Sequence, residues 1–325
     1  MVIAYSESKI YQFISFNNEF SIDFLEKWDY TTYKKLVNED YFTSFTFEDS
    51  VKDKGVVRLI SPEEFREEEL NIISNLEFSQ LSISDEVDEL CIVKDMDISS
   101  FPHNLLLNQK REFIAKDIPV SNVLSTEWFM KTAESNLLPK EYSKSIWIPT
   151  ESGDYALNYL YSNIEETLKD SSFQIFNDAE LQNPLSSDIN IICSHGGKNI
   201  SEIQIVSQEG NSTYNLDSII GTGSILIFFV CYSGSMKTEF FRNNITSLTK
   251  RFISNGYDAV IAPFWALDVT IPHYWLPEFL NEINSGSHVS KAVFKANRKV
   301  YERYPTPAAW ACLHLYGNAN HKIID

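Results

Sequence analysis

Short runs of consecutive apolar residues are the feature that most restricts the fold of this chain. Residues 225–230 and 259–262 place hydrophobic side chains at successive positions, and residues 189–193 do so at every position except Asn190, so both faces of the strands that they predict must be buried. Segments with apolar residues at three- and four-residue spacing alternate with these runs and predict amphipathic helices. The alternation implies an α/β fold with a mainly parallel central sheet and helices on both faces. The predicted helices are Leu157–Leu168, Phe241–Phe252, Leu276–Ile283 and Val289–Val300.

Local signals predict further elements along the chain. Ser61-Pro62-Glu63-Glu64 has the N-cap, first-turn proline and third-position glutamate of a capping box, which predicts a helix through about residue 76. Asn255-Gly256 predicts a left-handed helix stop. The remaining predictions are an early hairpin that includes residues 10–16, buried strands at 90–93 and 145–148, and a last strand through 310–316.

The order of these elements also suggests how the chain is organised. It has no internal repeat, no low-complexity tract and no Gly/Ser-rich or Pro-rich linker. We expect a strand-rich, non-catalytic N-terminal part at residues 1–150 and a catalytic part at residues 151–325.

The charge balance excludes some classes of partner. The 325 residues include 27 basic and 45 acidic side chains, a formal net charge of −18, and neither sign is clustered in a long run. Nucleic acid is therefore not expected as a partner, because phosphate binding depends on clustered Lys and Arg. The apolar stretch 225–231 is far too short to span a bilayer, and residues 1–7 lack the features of a secretory signal. We therefore expect no membrane span and a cytoplasmic location.

Two motifs, 36 positions apart from His195 to Cys231, point to chemistry. Ser194-His195-Gly196-Gly197 follows the first apolar run, and Cys231-Tyr232-Ser233-Gly234 follows the second. The functional groups of parallel sheets lie beyond the carboxyl ends of the strands, so the imidazole and the thiol are expected at one rim. An imidazole beside a thiol accepts its proton, and the thiolate then attacks a carbonyl carbon. The pair therefore predicts a cysteine hydrolase.

The same motifs supply the other parts of such a site. Gly196 has no side chain, so its N–H can point into the site beside that of Cys231, and together they would form an oxyanion hole. Ser233-Gly234 would provide the tight turn that exposes the nucleophile. Each residue alone has a structural alternative, since a histidine at a strand end or a buried cysteine is more often a core residue. The combination, in this order after two buried strands, favours function.

No metal or cofactor is predicted. Cys193 is close to His195 in sequence, but no second pair of ligands accompanies it, so packing is the preferred interpretation. Cys91 and Cys312 lie within apolar runs and are interpreted as core residues with free thiols. The five other histidines have no motif around them.

With these motifs identified, the chain resembles the CHAT domains, bacterial relatives of caspases and separase. The likeness covers nearly the whole chain and is most specific between residues 188 and 317. The matching segments are the opening strand pair Tyr5–Phe16, the strand Leu90–Val93 followed by Phe101–Leu106, the His-Gly stretch Asp188–Gly196, the Gly-to-Trp run Gly256–Trp265, and the closing Trp310–Gly317.

The resemblance implies a caspase-like three-layer sandwich and peptide-bond hydrolysis through an acyl-enzyme. His195 would be the general base, Cys231 the nucleophile, and the N–H groups of Gly196 and Cys231 the oxyanion donors. Asp268, Trp265 and Ser233 are candidate substrate-binding residues. Family members act in defence or programmed cell death and often carry fused repeat or sensor domains. None is seen in this sequence, which suggests control by a separate partner or by an activation loop.

One departure from the family pattern concerns specificity. Family members usually have two acidic residues at the third and fourth positions after the tryptophan, and here Asp268 is followed by Val269. In basic-selective relatives an acid in this region binds a P1 arginine or lysine, so the missing one weakens that expectation. Asp268 itself either pairs with a basic side chain or caps the helix from Thr270.

Three functional hypotheses follow. The first is an endopeptidase that cleaves a specific protein substrate. The second is a regulated protein-binding module whose protease site is vestigial, which the intact His195 and Cys231 disfavour. The third is a thiol acyltransferase or amidase that uses the same groups and differs only in its product.

Overall fold

The structure is a computed structural model of the 325-residue chain. It describes all residues except 7–8, 17–18, 26–27, 46–51, 54–55, 58–61, 133–136, 151–153, 170–171, 179, 199–202, 207–213, 236, 240–243, 247, 321 and 324–325.

The strands of the described residues are β1 (Val2–Ser6), β2 (Lys9–Phe16), β3 (Glu19–Phe24), β4 (Lys52–Asp53), β5 (Val56–Val57), β6 (Leu90–Lys94), β7 (Val120–Val123), β8 (Leu137–Leu138), β9 (Lys144–Trp147), β10 (Phe173–Phe176), β11 (Ile189–Cys193), β12 (His195–Lys198), β13 (Ile203–Val206), β14 (Ile225–Phe229), β15 (Lys237–Glu239), β16 (Asn244–Thr246), β17 (Ala259–Pro263), β18 (Leu313–Gly317) and β19 (Lys322–Ile323).

The α-helices are α1 (Tyr30–Asn38), α2 (Pro62–Asn75), α3 (Ile114–Asp117), α4 (Thr126–Thr132), α5 (Tyr155–Leu168), α6 (Leu216–Ile219), α7 (Leu248–Ser254), α8 (Ile271–Asn284), α9 (Val289–Arg303) and α10 (Pro307–Trp310).

One sheet of eleven strands runs through the molecule in the order β10-β9-β11-β14-β17-β18-β7-β6-β1-β2-β3. The five strands from β10 to β17 are parallel to one another. Strand β18 is antiparallel to β17 but parallel to β7, and β6 and β1 continue in that direction. The antiparallel meander β1-β2-β3 completes the sheet. The sheet is therefore mainly parallel, as the sequence predicted, and consists of two blocks that run in opposite directions.

Alternate residues of the central strands enter two separate hydrophobic cores. In β14, Ile225, Ile227 and Phe229 pack into one core, and Leu226 and Phe228 pack into the other. The first core includes residues of α5, α8 and α9, and the second includes residues of α6 and α7. Helices therefore cover both faces of this part of the sheet, which confirms the predicted three layers and explains the consecutive apolar residues.

Most predicted elements are present close to their expected positions. The early hairpin is β1-β2, and the capping-box helix is α2. The strands predicted from apolar runs are β6, β9, β11, β14 and β17. Gly256 has a φ of 110° and ends α7 in the left-handed region, as predicted. The predicted last strand is shorter than expected: residues 307–310 form α10, with Thr306 at its N-cap, and the strand spans Leu313–Gly317.

The helix predicted over Phe241–Phe252 is wrong in its first half. Asn244–Thr246 is a strand paired with Lys237–Glu239, and the helix begins at Leu248; Phe241 lies outside the described residues. The physical reason is the low helix propensity of Asn, Ile and Thr, of which Ile and Thr are β-branched. A hairpin therefore follows the Cys231 motif in the chain.

The predicted division at residue 150 stays a prediction. The structure places β9, which precedes residue 150, between β10 and β11, which both follow it. Strand β18, the last of the eleven in the sequence, pairs with β7, which precedes residue 150.

Candidate active site

His195 and Cys231 lie at the same end of two adjacent strands. Strands β11 and β14 are parallel, and Cys193 pairs with Phe229 in their register. His195 lies two residues after Cys193, and Cys231 lies two residues after Phe229. The shared rim that the sequence predicted is present.

The chain makes a tight turn directly after Cys231. Tyr232 has a φ of 64°, a left-handed conformation that is uncommon for a residue with a side chain. The Tyr232 N–H donates to the carbonyl oxygen of Trp265 (3.1 Å), and the Gly234 N–H donates to that of Pro263 (2.8 Å). These bonds hold residues 231–234, which we call the nucleophile turn after the role predicted for Cys231, against the end of β17 and the residues that follow it.

Gly234 fits this turn because a side chain would not. A Cβ atom at Gly234 would lie 2.7 Å from the carbonyl oxygen of Ala262. The carbonyl oxygen of Gly234 accepts a hydrogen bond of 2.6 Å from the Tyr316 hydroxyl, which is buried. Strand β18 therefore stabilises the nucleophile turn through this hydrogen bond.

The thiol of Cys231 is partly exposed and has a backbone donor. The N–H of Leu267 donates to Cys231 Sγ at 3.3 Å. Cys231 Sγ also lies 3.8 Å from the carbonyl oxygen of Leu267, to which the thiol can donate. The backbone of Leu267 therefore contacts the sulfur through both its donor and its acceptor.

His195 is the first residue of β12, which pairs with β13 as an antiparallel hairpin. Its Nε2 lies 2.7 Å from Oδ2 of Asp154, and the imidazole side chain is 35% exposed whereas the Asp154 side chain is only 2% exposed. Asp154 is also the N-cap of α5, where its Oδ1 accepts the N–H of Leu157 at 3.0 Å. Both carboxylate oxygens are thus used, one by the helix and one by the histidine.

This arrangement fixes the role of each imidazole nitrogen. A carboxylate accepts hydrogen bonds, so Nε2 carries the proton and Nδ1 keeps its lone pair. Asp154, His195 and Cys231 are therefore the residue types that an orienting acid, a general base and a nucleophile require, and these roles stay a prediction.

Sequence reasoning missed Asp154. The predicted helix 157–168 begins three residues after it, and an aspartate at that position is a typical N-cap. It also follows β9, the strand next to β11, so its place beyond the carboxyl end of a parallel strand was a second available signal.

Gly196 lies directly against the backbone of Cys231. A Cβ atom added at Gly196 would be 1.9 Å from the carbonyl oxygen and 2.8 Å from the nitrogen of Cys231. The two residues that were predicted to share an oxyanion hole are therefore neighbours in space. Their donor roles stay a prediction.

The three candidate substrate residues occupy packing positions. Trp265 is 0% exposed, its indole N–H donates to the carbonyl oxygen of Ala308 (2.8 Å), and Ser233 is also 0% exposed. Neither side chain offers surface to a substrate in this structure, because both are fully buried. Asp268 Oδ1 accepts the N–H (2.8 Å) and the hydroxyl (2.6 Å) of Thr270. Thr270 is the N-cap of α8, so Asp268 bonds to the cap residue and is not itself the cap that the sequence alternative expected.

Of the remaining cysteines, Cys193 and Cys312 are buried, and Cys91 in β6 is partly buried. Burial raises the pKa values of the Cys193 and Cys312 thiols well above the ordinary value. All four cysteines are free. Within the described part of the chain, no group of three or more His, Cys, Asp or Glu side chains is placed to hold a metal ion. The described helices also include none with the length and apolar character needed to cross a bilayer.

Comparison with solved structures identifies the fold. No family model matches the chain, and no curated protein matches it. A crystal structure of the Saccharomyces cerevisiae separase–securin complex at 2.6 Å resolution matches with a TM-score of 0.52 and 15% identity, covering 74% of this chain. The fold is separase-like.

The likeness is one of architecture. The chain spans 16% of the length of the separase chain that it matches. A second structure of the same complex, at 3.0 Å resolution, matches with a TM-score of 0.47 and 18% identity over 70% of this chain and 15% of the separase chain. The match to the 2.6 Å structure, together with the mainly parallel sheet, confirms the caspase-like α/β sandwich expected from the sequence.

Proposed function

We propose that this chain is a cysteine endopeptidase of the CHAT type that cleaves a specific protein substrate. The observation that carries the proposal is the alignment of β11 and β14, which brings His195 and Cys231 to one rim with Asp154 behind the histidine. A separase-like fold around these groups supports a peptidase over a generic thiol hydrolase.

The proposed reaction starts with proton transfer from the Cys231 thiol to Nδ1 of His195. The thiolate attacks the scissile carbonyl carbon and forms a C–S bond, and the N–H groups of Cys231 and Gly196 bind the resulting oxyanion. The imidazolium then protonates the amide nitrogen as the C–N bond breaks, which releases the new N-terminus and leaves a thioester. Water activated by His195 attacks the thioester, releases the carboxylate product and restores the thiol.

Regulation by a separate protein is part of the proposal. The matched separase structures are complexes with securin, which supports a protein partner for this chain as well. We further propose that the chain acts in the cytoplasm in bacterial defence or cell death, in keeping with its resemblance to CHAT domains.

The test is proteolysis that depends on Cys231. The wild-type chain and a Cys231→Ala variant are incubated with candidate partner proteins, and new N-termini are identified by mass spectrometry. We expect cleavage by the wild type and none by Cys231→Ala. Cys91→Ala is a matched control, since this thiol is also partly buried but lies in β6, and it should retain full cleavage.

Other results would decide against the proposal. If the Cys231→Ala variant cleaves as well as the wild type, the proposed nucleophile is wrong. If the products are acyl transfer adducts without new N-termini, the chain is a thiol acyltransferase. Partner binding that is unchanged by Cys231→Ala, with no cleavage under activating conditions, would identify a binding module.

A further inference from the structure

The sheet ends in an exposed strand on the side opposite to β10. Strand β3 is the last strand of the sheet, it pairs with β2 alone among the described residues, and all six of its residues are exposed. Phe20 is 83% exposed and Ile22 is 67% exposed. An edge strand presents a row of main-chain donors and acceptors to which another strand can pair.

The two faces of β3 differ in chemistry. Side chains alternate along a strand, so Phe20, Ile22 and Phe24 lie on one face, and Glu19, Ser21 and Asp23 lie on the other. One face is therefore apolar and the other is acidic. Lys9 of β2 places its ammonium 5.2 Å from the ring centroid of Phe24, so an aromatic ring of this edge already holds a cation.

The apolar face continues inward from β3. The strand register aligns Ile22 with Phe13, Phe13 with Val2, Val2 with Val93, and Val93 with Val123. This row of five apolar residues crosses five strands.

A groove of about 840 Å³ lies over this row. Phe129 and Met130 of α4 also line it, and Met130 is 73% exposed. Contiguous exposed apolar surface of this kind marks an interaction site.

Carboxylates lie on the acidic face of β3 and in the groove. Glu19 and Asp23 belong to the acidic face, and Glu89 lines the groove. The described residues that line the groove include no lysine or arginine, and the N-terminal ammonium of Met1, which also lines it, donates to the carbonyl oxygen of Cys91 (2.7 Å). Pairing with a second copy of this chain is disfavoured, because it would bring Glu19 and Asp23 of two copies together, each copy carrying a net charge of −18.

We propose that β3 and its groove bind an extended segment of another protein in which apolar residues alternate with Lys or Arg. The segment adds to β3 as a further strand, and the main-chain hydrogen bonds supply affinity. Its apolar side chains cover Phe20, Ile22 and the groove, and its basic side chains lie beside Glu19 and Asp23. The alternating pattern follows from the pleat of β3.

The test uses a defined probe with the full chain. A fluorescein-labelled peptide of four Val–Lys repeats is titrated with the protein and followed by fluorescence anisotropy. We expect saturable binding that is at least ten-fold tighter than that of a Val–Glu peptide. A Val–Lys peptide with prolines in place of two central valines should also bind at least ten-fold more weakly, because proline lacks the N–H needed for strand pairing.

Two charge-reversal variants distinguish binding at this edge from general attraction of the peptide to the negative charge of the chain. The pair Glu19→Lys with Asp23→Lys should weaken binding of the Val–Lys peptide at least ten-fold. The pair Glu165→Lys with Glu166→Lys changes the net charge equally on an exposed turn of α5 and should leave binding unchanged. Ile22→Asp tests the apolar face, and circular dichroism of each variant confirms that it is folded.

Several outcomes would overturn the proposal. These are equal weakening by the two charge-reversal pairs, equal binding of the proline peptide, or assembly of the chain into a dimer that Ile22→Asp dissolves. The measurement is independent of catalysis, since Cys231→Ala should bind the peptide as the wild type does.

Discussion

The carboxylate of Asp154 joins His195 to the first turn of α5. One oxygen lies 2.7 Å from Nε2 of the imidazole, and the other accepts the N–H of Leu157 at 3.0 Å. The hydrogen bond to the helix therefore fixes the orientation of the carboxylate, and the carboxylate in turn orients the imidazole. Such support would suit the general base that we propose His195 to be.

Replacing Asp154 with asparagine should separate catalysis from folding. Asparagine is as good an N-cap as aspartate, so stability should change little. Its amide does not stabilise the imidazolium and can favour the other tautomer, so kcat/KM of the proposed cleavage should fall by about a hundred-fold or more. The measurements are peptide cleavage kinetics and urea unfolding of the same preparations.

The control for this substitution is another aspartate cap. Asp29 caps α1 by accepting the N–H of Thr31 at 3.0 Å and lies on the exposed surface. Asp29→Asn should leave both stability and cleavage unchanged. Cleavage by Asp154→Asn at the wild-type rate would show that the carboxylate has only a structural role.

Gly196→Ala should inactivate the site by moving it. A Cβ atom 1.9 Å from the Cys231 carbonyl oxygen is far inside van der Waals contact, so the β12 hairpin and the nucleophile turn must separate. We expect kcat/KM to fall at least a hundred-fold, with a smaller loss of stability of about 1–3 kcal/mol. Gly286→Ala is the control, since its Cβ would contact nothing within 4 Å; it should lose stability because its φ is 80°, yet keep activity.

Tyr316→Phe tests the support behind the nucleophile turn. Removing the hydroxyl leaves the carbonyl oxygen of Gly234 without its 2.6 Å donor in a buried site. The expected cost is about 1–3 kcal/mol in the free energy of unfolding, together with lower activity if the turn loses its shape. Thermal unfolding and cleavage kinetics measure the two effects, and an unchanged unfolding midpoint would contradict the buried bond.

Stability should fall as the pH is lowered below about 6.5 because of two buried histidines. Burial lowers the pKa values of His103 and His314 well below the ordinary value, and the positive charge of Lys94 adds to this effect. The folded chain keeps both rings neutral, whereas the unfolded chain takes up a proton on each below pH 6.5. Each ring should therefore cost about 1.4 kcal/mol per pH unit in that range.

Urea unfolding at pH 7, 6 and 5 measures this dependence. Burial lowers the pKa of Lys94 to about 7, so below that pH it is charged in both states and adds little to the slope. His103→Phe should remove about half of the histidine contribution. A slope that is unchanged in this variant would show that other groups cause the acid sensitivity.

The sequence was informative where burial alone decides the pattern. Strands buried on both faces are largely apolar at consecutive positions, with Asn190 of β11 the exception, so β11, β14 and β17 were recognisable, and with them the rim that holds His195 and Cys231. Strand direction has no such signature, because an apolar run reads alike in both orientations. The reversal at β18 was therefore not predicted.

Two further features depend on partners that are distant in sequence. Asp154 meets His195 across 41 positions, and its importance appears only once β9 lies beside β11. The strand Asn244–Thr246 falls where Phe241, Ile245 and Leu248 share a helical spacing, and local propensity overrides that spacing.

The place of β18 in the sheet has a consequence for the order of folding. Of the eleven strands it comes last in the sequence, yet it lies between β17 and β7 and carries the tyrosine that donates to Gly234. Until β18 pairs, no other described strand joins the two blocks, and the turn after Cys231 lacks one of its hydrogen bonds. We therefore expect the proposed site to reach its final shape only after β18 has inserted between the two blocks.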